Sequence, residues 1–189
     1  MVPSPIQDLF HTMFKSKTIS PNYRKPHILH TLLLLGEDDY GIGRYRIKKE
    51  VNLGEGTIKT MLSRFREDNL IQSKEHRQQG HILSEPGKKL YQTVLTYFSH
   101  PQSIDNPQNH FVIGQYAVYT TIPKKRIKEN VIFGIPQRDE AIKIGATGAT
   151  CVIFNGKNLV FPNSNEILKK ISENLLKKLN PGDVVLFGG

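Results

Sequence analysis

The chain has 189 residues, 38% of them apolar and 23% charged, with 26 Lys and Arg against 17 Asp and Glu for a net charge of +9. Those values exclude a disordered tail, a collagen and a disulfide scaffold, and they fit one or two small globular domains. Because domains usually run to about 100–150 residues, two compact units of about 100 and 80 residues fit better than one.

The longest apolar run, Ile28 to Leu35, is broken by His30 and Thr31. It falls short of the roughly 20 residues that a bilayer span needs, so no membrane partner is expected. Met1 to Phe14 lacks a basic start followed by an apolar stretch and a small-residue cleavage site, and a cytoplasmic location is the expectation. The single cysteine, Cys151, lies in the apolar run Ala149 to Phe154 without an activating His or acidic neighbour. It reads as an inert core thiol rather than a nucleophile. His27 and His30 could share a helix face, but no further ligand accompanies them and no HExxH or CxxC motif occurs, so no metal is expected. No cofactor signature appears either.

In chain order, Ile6, Leu9, Phe10, Met13 and Phe14 repeat at helical spacing, and Lys25-Pro26 opens a second apolar helix over His27 to Leu35. Gly41 to Val51 reads as a short basic helix. After Asn52-Leu53-Gly54-Glu55-Gly56 comes a helix over Thr57 to Asp68 whose Ile58, Met61, Leu62 and Phe65 form one apolar stripe. Turning 100° per residue then places Gly56, Thr60, Ser63 and Glu67 outward, with Thr57, Lys59 and Arg64 on the flanks. Leu70-Ile71, the polar stretch Gln72 to Arg77, a Gln78-Gln79-Gly80 turn and His81 to Ser84 read as a β-hairpin, and Pro86-Gly87 starts a helix over Lys88 to Phe98.

The positive charge is unevenly placed. Residues 1 to 39 are neutral, whereas Tyr40 to Gln78 holds nine basic and five acidic residues, and the part from Asn106 onward holds eleven and six. The basic cluster Lys124, Lys125, Arg126 and Lys128 reads first as a solvated loop or strand end, with an anion contact as the other reading.

Residues 26 to 98 resemble a winged helix-turn-helix domain. The string Arg46-Ile47, Leu53-Gly54-Glu55-Gly56-Thr57-Ile58, Leu62, Leu70-Ile71, Gly80-His81, Ser84 and Gly87 is similar to archaeal and bacterial winged-helix transcription regulators. That resemblance implies double-stranded DNA as the partner, with the second helix of the pair in the major groove and the preceding helix across the backbone. Thr57, Lys59, Thr60, Ser63 and Arg64 then become groove residues. Arg44, Arg46 and Lys48 fit backbone contacts, and Arg77, Gln79 and His81 fall on the wing. Other uses of these residues are ordinary surface charge or a bare turn at Gly54-Glu55-Gly56, and a winged helix can also dock proteins.

Ser99 to Asn109, with two prolines and almost no apolar content, divides the chain into an expected DNA-binding domain over 1–98, a linker over 99–109 and an α+β sensor or dimerisation domain over 110–189. In that last part, Phe111 to Ile122 and Val131 to Ile135 read as strands and Arg138 to Ile144 as a helix. Ala149 to Phe154 and Leu159 to Phe161 read as a hairpin around Asn155-Gly156. Asn163-Ser164 with Glu166 reads as the cap of a helix reaching Leu179, and Asp183 to Phe187 as the last strand. From Val131 the order β-α-β-β-α-β is the split βαβ arrangement of ferredoxin-like domains, with one additional strand.

The whole is similar to an archaeal two-domain family of uncharacterised proteins, on Gln137-Arg138-Asp139-Glu140-Ala141 and Gly145-Ala146-Thr147-Gly148-Ala149-Thr150. The candidate ligand-binding residues are Arg138, Asp139, Thr147 and Gly148: the first two stand at a helix start, and the glycine-rich segment offers backbone N–H groups to an anion. Capping and a tight turn are the plainer uses of the same residues. The expected function is a sequence-specific, non-enzymatic DNA-binding transcription regulator acting as a homodimer, with a possible small-molecule effector. The alternatives are a winged helix fused to a nucleotide or cofactor enzyme, and a protein-docking adaptor.

Overall fold

A computed structural model describes residues 4–15, 20–73, 80–104, 117–127, 134–162, 164, 166–168 and 173–189. The chain divides into two compact units, Met1–Val94 and Leu95–Gly189. None of the described helices is long and apolar enough to cross a membrane.

In the first unit, α1 (Ser4–Phe14), α2 (Lys25–Glu37), α3 (Arg44–Val51) and α4 (Glu55–Glu67) are followed by the strands β1 (Ile71–Ser73) and β2 (His81–Leu83) and then α5 (Glu85–Leu95). The core is assembled from one stripe of each helix. Met13, Ile28, Leu32, Ile47, Ile58, Met61, Phe65 and Val94 are fully shielded from solvent. Burial of side chains of this size contributes about 1.5–3 kcal/mol each. Thr31 shares the core because its hydroxyl donates to the His27 carbonyl at 2.8 Å. Asn52 ends α3 in the left-handed region, which an asparagine tolerates.

The strands β1 and β2 pair antiparallel with Ile71 opposite Leu83 and Ser73 opposite His81. Ile42, between α2 and α3, adds a third, one-residue segment on the other side of β2 by exchanging two backbone hydrogen bonds of 2.9 Å with His81. Gly80 makes this junction possible: its φ is +77°, and a Cβ there would stand 2.4 Å from the Ile42 carbonyl carbon. Ser84 caps α5, accepting from the Gly87 N–H at 3.2 Å while donating to the Asn69 carbonyl.

The second unit is an α+β fold on an antiparallel sheet. Its elements are β3 (Gln102–Ser103), β4 (Val118–Ile122), a 3-10 turn at Lys124–Arg126, α6 (Ile135–Lys143), β5 (Ala149–Phe154), β6 (Leu159–Val160), α7 (Glu173–Leu176) and β7 (Val184–Gly188). The spatial order is β3-β4-β7-β5-β6, so β4-α6-β5 straddles β7 and β6-α7-β7 straddles β5. Both sheet faces are apolar. Val152, Phe154, Val185 and Phe187 pack with Leu168, Leu175 and Leu179, and Cys151 and Val184 pack on the other side with Ile122, Ile127, Ile153 and Leu186. Burial pushes the Cys151 thiol up to about 11, so it stays protonated.

Four expectations for this unit change. Residues 99–104 are not a free linker: Ser99 and Ile104 donate to Thr121 and Ala117, and β3 lies between them. The expected strand over Val131 to Ile135 falls largely outside the described residues, and Ile135 begins α6 behind Gly134 rather than ending a strand. The last strand is central, whereas a ferredoxin-like sheet keeps it at an edge. Glu166 to Leu168 is extended rather than helical, with the Leu168 N–H on the Leu159 carbonyl at 2.8 Å. A two-residue alternation, Ile167 exposed and Leu168 buried, outweighs the capping pattern there. The expected strand residues Phe111 to Tyr116 lie outside the described residues.

Gly87 marks the tightest approach in the first unit, since a Cβ on it would lie 2.0 Å from the Leu70 carbonyl oxygen. Gly87→Ala should therefore cost about 1–3 kcal/mol or more in chemical denaturation. Gly43→Ala, where no atom lies within 4 Å, should cost at most about 1 kcal/mol, the loss of a glycine N-cap on α3.

Candidate nucleic-acid interface

With Ile58, Met61, Leu62 and Phe65 buried, the rotation of α4 is fixed. Glu55, Gly56, Lys59, Thr60, Arg66 and Glu67 face solvent, and Thr57 and Ser63 are half-buried at its edges. The Thr60 hydroxyl donates to the Gly56 carbonyl at 3.0 Å, and the Ser63 hydroxyl donates to Glu67 Oε1 at 3.0 Å. Both hydroxyls therefore lie against their own helix, leaving lone pairs and the Thr60 methyl on the outer side.

Arg64 is placed differently from the expectation of a groove residue. Its guanidinium donates to the Met13 carbonyl, the same oxygen that receives the Tyr23 hydroxyl at 2.6 Å. Burial raises the Tyr23 pKa, and the adjacent Arg64 charge works against that rise. The side chain is half-buried and ties α4 to the end of α1, where carbonyl groups lack helical partners. Its position on the flank of the apolar stripe brings it inward because α1 packs there.

On α3, Arg44 pairs with Glu55 at 3.1 Å and Arg46 with Asp38 at 3.0 Å. Asp38 also accepts the Tyr40 and Gly41 backbone N–H groups, so it orders the approach to α3. Lys48 is half-buried and Lys49 exposed. Tyr45 is 80% exposed beside these cations.

Of the hairpin candidates, Arg77 and Gln79 lie outside the described residues. His81 is half-buried, and its pKa is lowered by burial first and then by Arg66 and Arg44. Cations from α3 and α4 thus bear on the base of the hairpin. Arg66, Lys49 and Tyr45 were missed in the sequence reading. Arg66 carries a legible signal, standing seven residues after Lys59 on the same helical face.

Gly54 and Gly56 flank the start of α4. Gly54 has an ordinary φ of −63°, and a Cβ on either glycine would meet no atom within 4 Å. Gly54 is the N-cap of α4, a position that favours glycine over alanine, whereas the folded chain does not require glycine at Gly56.

The candidate ligand residues of the second unit are otherwise engaged. Arg138 and Asp139 pair with each other at 3.0 Å on the exposed side of α6. The Thr147 and Gly148 N–H groups, expected to face an anion, donate instead to the Gly189 carbonyl at 2.6 and 3.3 Å, because that segment closes against the end of β7. No recorded contact brings the two pairs together among the described residues. No group of three or more His, Cys, Asp or Glu residues that could hold a metal occurs there either.

The family model of the PH0730-like N-terminal domain matches residues 26–89. A second, the domain of unknown function DUF4443, matches residues 113–189. In both halves the chain is similar to a two-domain archaeal family. A solved structure, the hypothetical protein PH0730 from Pyrococcus horikoshii OT3, is 27% identical over 88% of this chain and 83% of its own, with a TM-score of 0.69. No curated protein matches the sequence.

Two predictions follow from these contacts. Arg64→Ala should destabilise the protein by about 1–2 kcal/mol, since a charge-assisted bond to a buried carbonyl is lost. Lys59→Ala, at an exposed position, should change stability by under about 0.5 kcal/mol; denaturant midpoints at equal m-value separate the two. His81 and His27 both have pKa values lowered from 6.5, mainly by burial, and His27 Nδ1 must stay unprotonated to accept the Arg24 N–H at 2.9 Å. The unfolded chain therefore binds protons first on acidification. The histidine contribution should be complete above pH 6.5 and be lost as pH falls through the lower folded values. The acid loss should shrink in a His27→Gln/His81→Gln variant.

Proposed function

We propose that the first unit is a winged helix-turn-helix domain that binds double-stranded DNA, with α4 in the major groove and α3 across the backbone, and that the protein is a transcription regulator. The element order supports this reading: α2, the Ile42 rung, α3, α4, and the β1-β2 hairpin follow the plan of such domains.

The observation that carries it is the open glycine in the first turn of α4, Gly56. Glycine costs a helix or a loop conformational entropy, about 0.5–1 kcal/mol against alanine. Gly54 is the N-cap of α4, where glycine is favoured over alanine, but at Gly56, inside the helix, neither a left-handed φ nor crowding offsets that cost. A cleared surface near Lys59 and Arg44, on a face of α3 and α4 that also exposes Lys49 and Arg66, suits close approach by a polyanion. A base-reading helix needs its N-terminal half near base edges. The second unit is read as the assembly or effector-sensing part, and a homodimer would let two α4 helices read paired half-sites. This makes the protein a binding protein rather than an enzyme.

Two measurements test the reading. Duplex binding should weaken steeply with salt, log K falling by about 0.9 per phosphate neutralised; a flat salt response contradicts it. Gly56→Ala should leave the fold unchanged or stabilise it by up to about 1 kcal/mol while weakening duplex binding severalfold, because the added methyl intrudes on the contact. Equal binding by that variant removes the glycine argument.

A further inference from the structure

Glu55 is the side chain that stands between the two open glycines. It is 63% exposed and holds Arg44 at 3.1 Å, and it is the carboxylate of the α4 first turn. Beside it are Arg44, its ion-pair partner, and Lys59, one turn further along α4. Any partner that uses the clearance at Gly54 and Gly56 brings this carboxylate into the contact.

A carboxylate beside DNA has two possible encounters. Against phosphate oxygens it repels, and it also keeps Arg44 partly neutralised. Against a base edge it accepts a hydrogen bond from the cytosine N4 amine, the donor that Glu and Asp read in the major groove. Arg46 has the same kind of partner in Asp38, but Asp38 is also bonded to two backbone N–H groups and serves the loop. Glu55 stands in the first turn of α4, where a carboxylate also suits the helix dipole, and its exposed ion pair with Arg44 contributes little to stability.

We propose that Glu55 is a specificity-determining residue: it weakens phosphate-only binding to arbitrary duplex and favours sites that present a cytosine to the start of α4. The inference rests on the DNA-binding reading above. On a matched site Glu55 turns to the base and Arg44 is released to the backbone, so one exchange couples base recognition to an added phosphate contact. On an unmatched site the Arg44–Glu55 pair persists and the carboxylate remains unfavourably close to the backbone.

The full chain and its Glu55→Gln variant can be compared on a mixed-sequence duplex across a salt series, and in selection from a randomised duplex library. Glu55→Gln should bind the mixed-sequence duplex roughly threefold to tenfold more tightly, with a salt slope steeper by up to about 0.9. Its selected sites should lose a cytosine preference that the parent shows at one position. Glu55→Ala should behave alike, and adding Arg44→Gln to Glu55→Gln should return mixed-sequence affinity to the parent's level. Circular dichroism spectra matching the parent's confirm that all three variants are folded. Unchanged or weaker mixed-sequence binding by folded Glu55→Gln, or an unaltered selected sequence, overturns the proposal while leaving DNA binding intact. Absence of duplex binding by parent and variants alike overturns the DNA-binding reading, and this inference with it.

Discussion

Burial of Ile58, Met61, Leu62 and Phe65 fixes α4 about its own axis, and the other features of the first unit are arranged around that constraint. Rotating the helix by one residue would expose one of these side chains and bury Lys59 or Arg66, a charge without a partner in an apolar core. The Arg64 contact with the Met13 carbonyl adds a polar stop at the flank of the stripe. Together they hold Gly56, Lys59 and Thr60 outward, and the Ile42–His81 rung fixes the hairpin beside them. A surface that must fit an external groove needs this kind of fixed rotation, since a small error in helix phase would replace one set of side chains with another.

Charge on this surface is partitioned rather than simply accumulated. Arg44 and Arg46 have acidic partners, and Arg64 is committed to α1. Lys59, Lys49 and Arg66 remain toward solvent, with Tyr45 standing out beside Lys49. A count of nine basic residues between Tyr40 and Gln78 therefore overstates the cation available to a polyanion. The ion pairs are on exposed side chains, where exchange of a carboxylate for a phosphate is inexpensive. Affinity and selectivity can thus be set by which pairs open.

The helices of the first unit were legible because their apolar residues recur at helical spacing, and Gly80 announces the hairpin; the pattern places the last helix over Lys88 to Phe98, but it runs from Glu85 to Leu95 because Ser84, expected in the strand, caps it. Arg64 was misread for a physical reason: helical phase gives the angle of a side chain, but the neighbour on that side, α1, is set by tertiary packing. The second unit was harder. Asn163-Ser164 with Glu166 reads as a helix cap, yet the Leu159–Leu168 backbone pairing draws Glu166 to Leu168 into extended structure. Strand order was not readable at all from local pattern, because β7 is central through pairings with β4 and β5 that are distant in sequence. The Thr147-Gly148 amides looked available to an anion only until the Gly189 carbonyl, about forty residues away in the chain, was seen to occupy them.

The central claim is that the outer face of α4 is where duplex DNA sits. Backbone amide shifts of the full chain, followed by nuclear magnetic resonance during titration with duplex DNA, test it residue by residue. The account predicts the largest changes at Gly54 to Thr60 and at the start of α3, with the buried stripe of α4 little affected. Shifts confined to the second unit, or none in the first at saturating DNA, would contradict it.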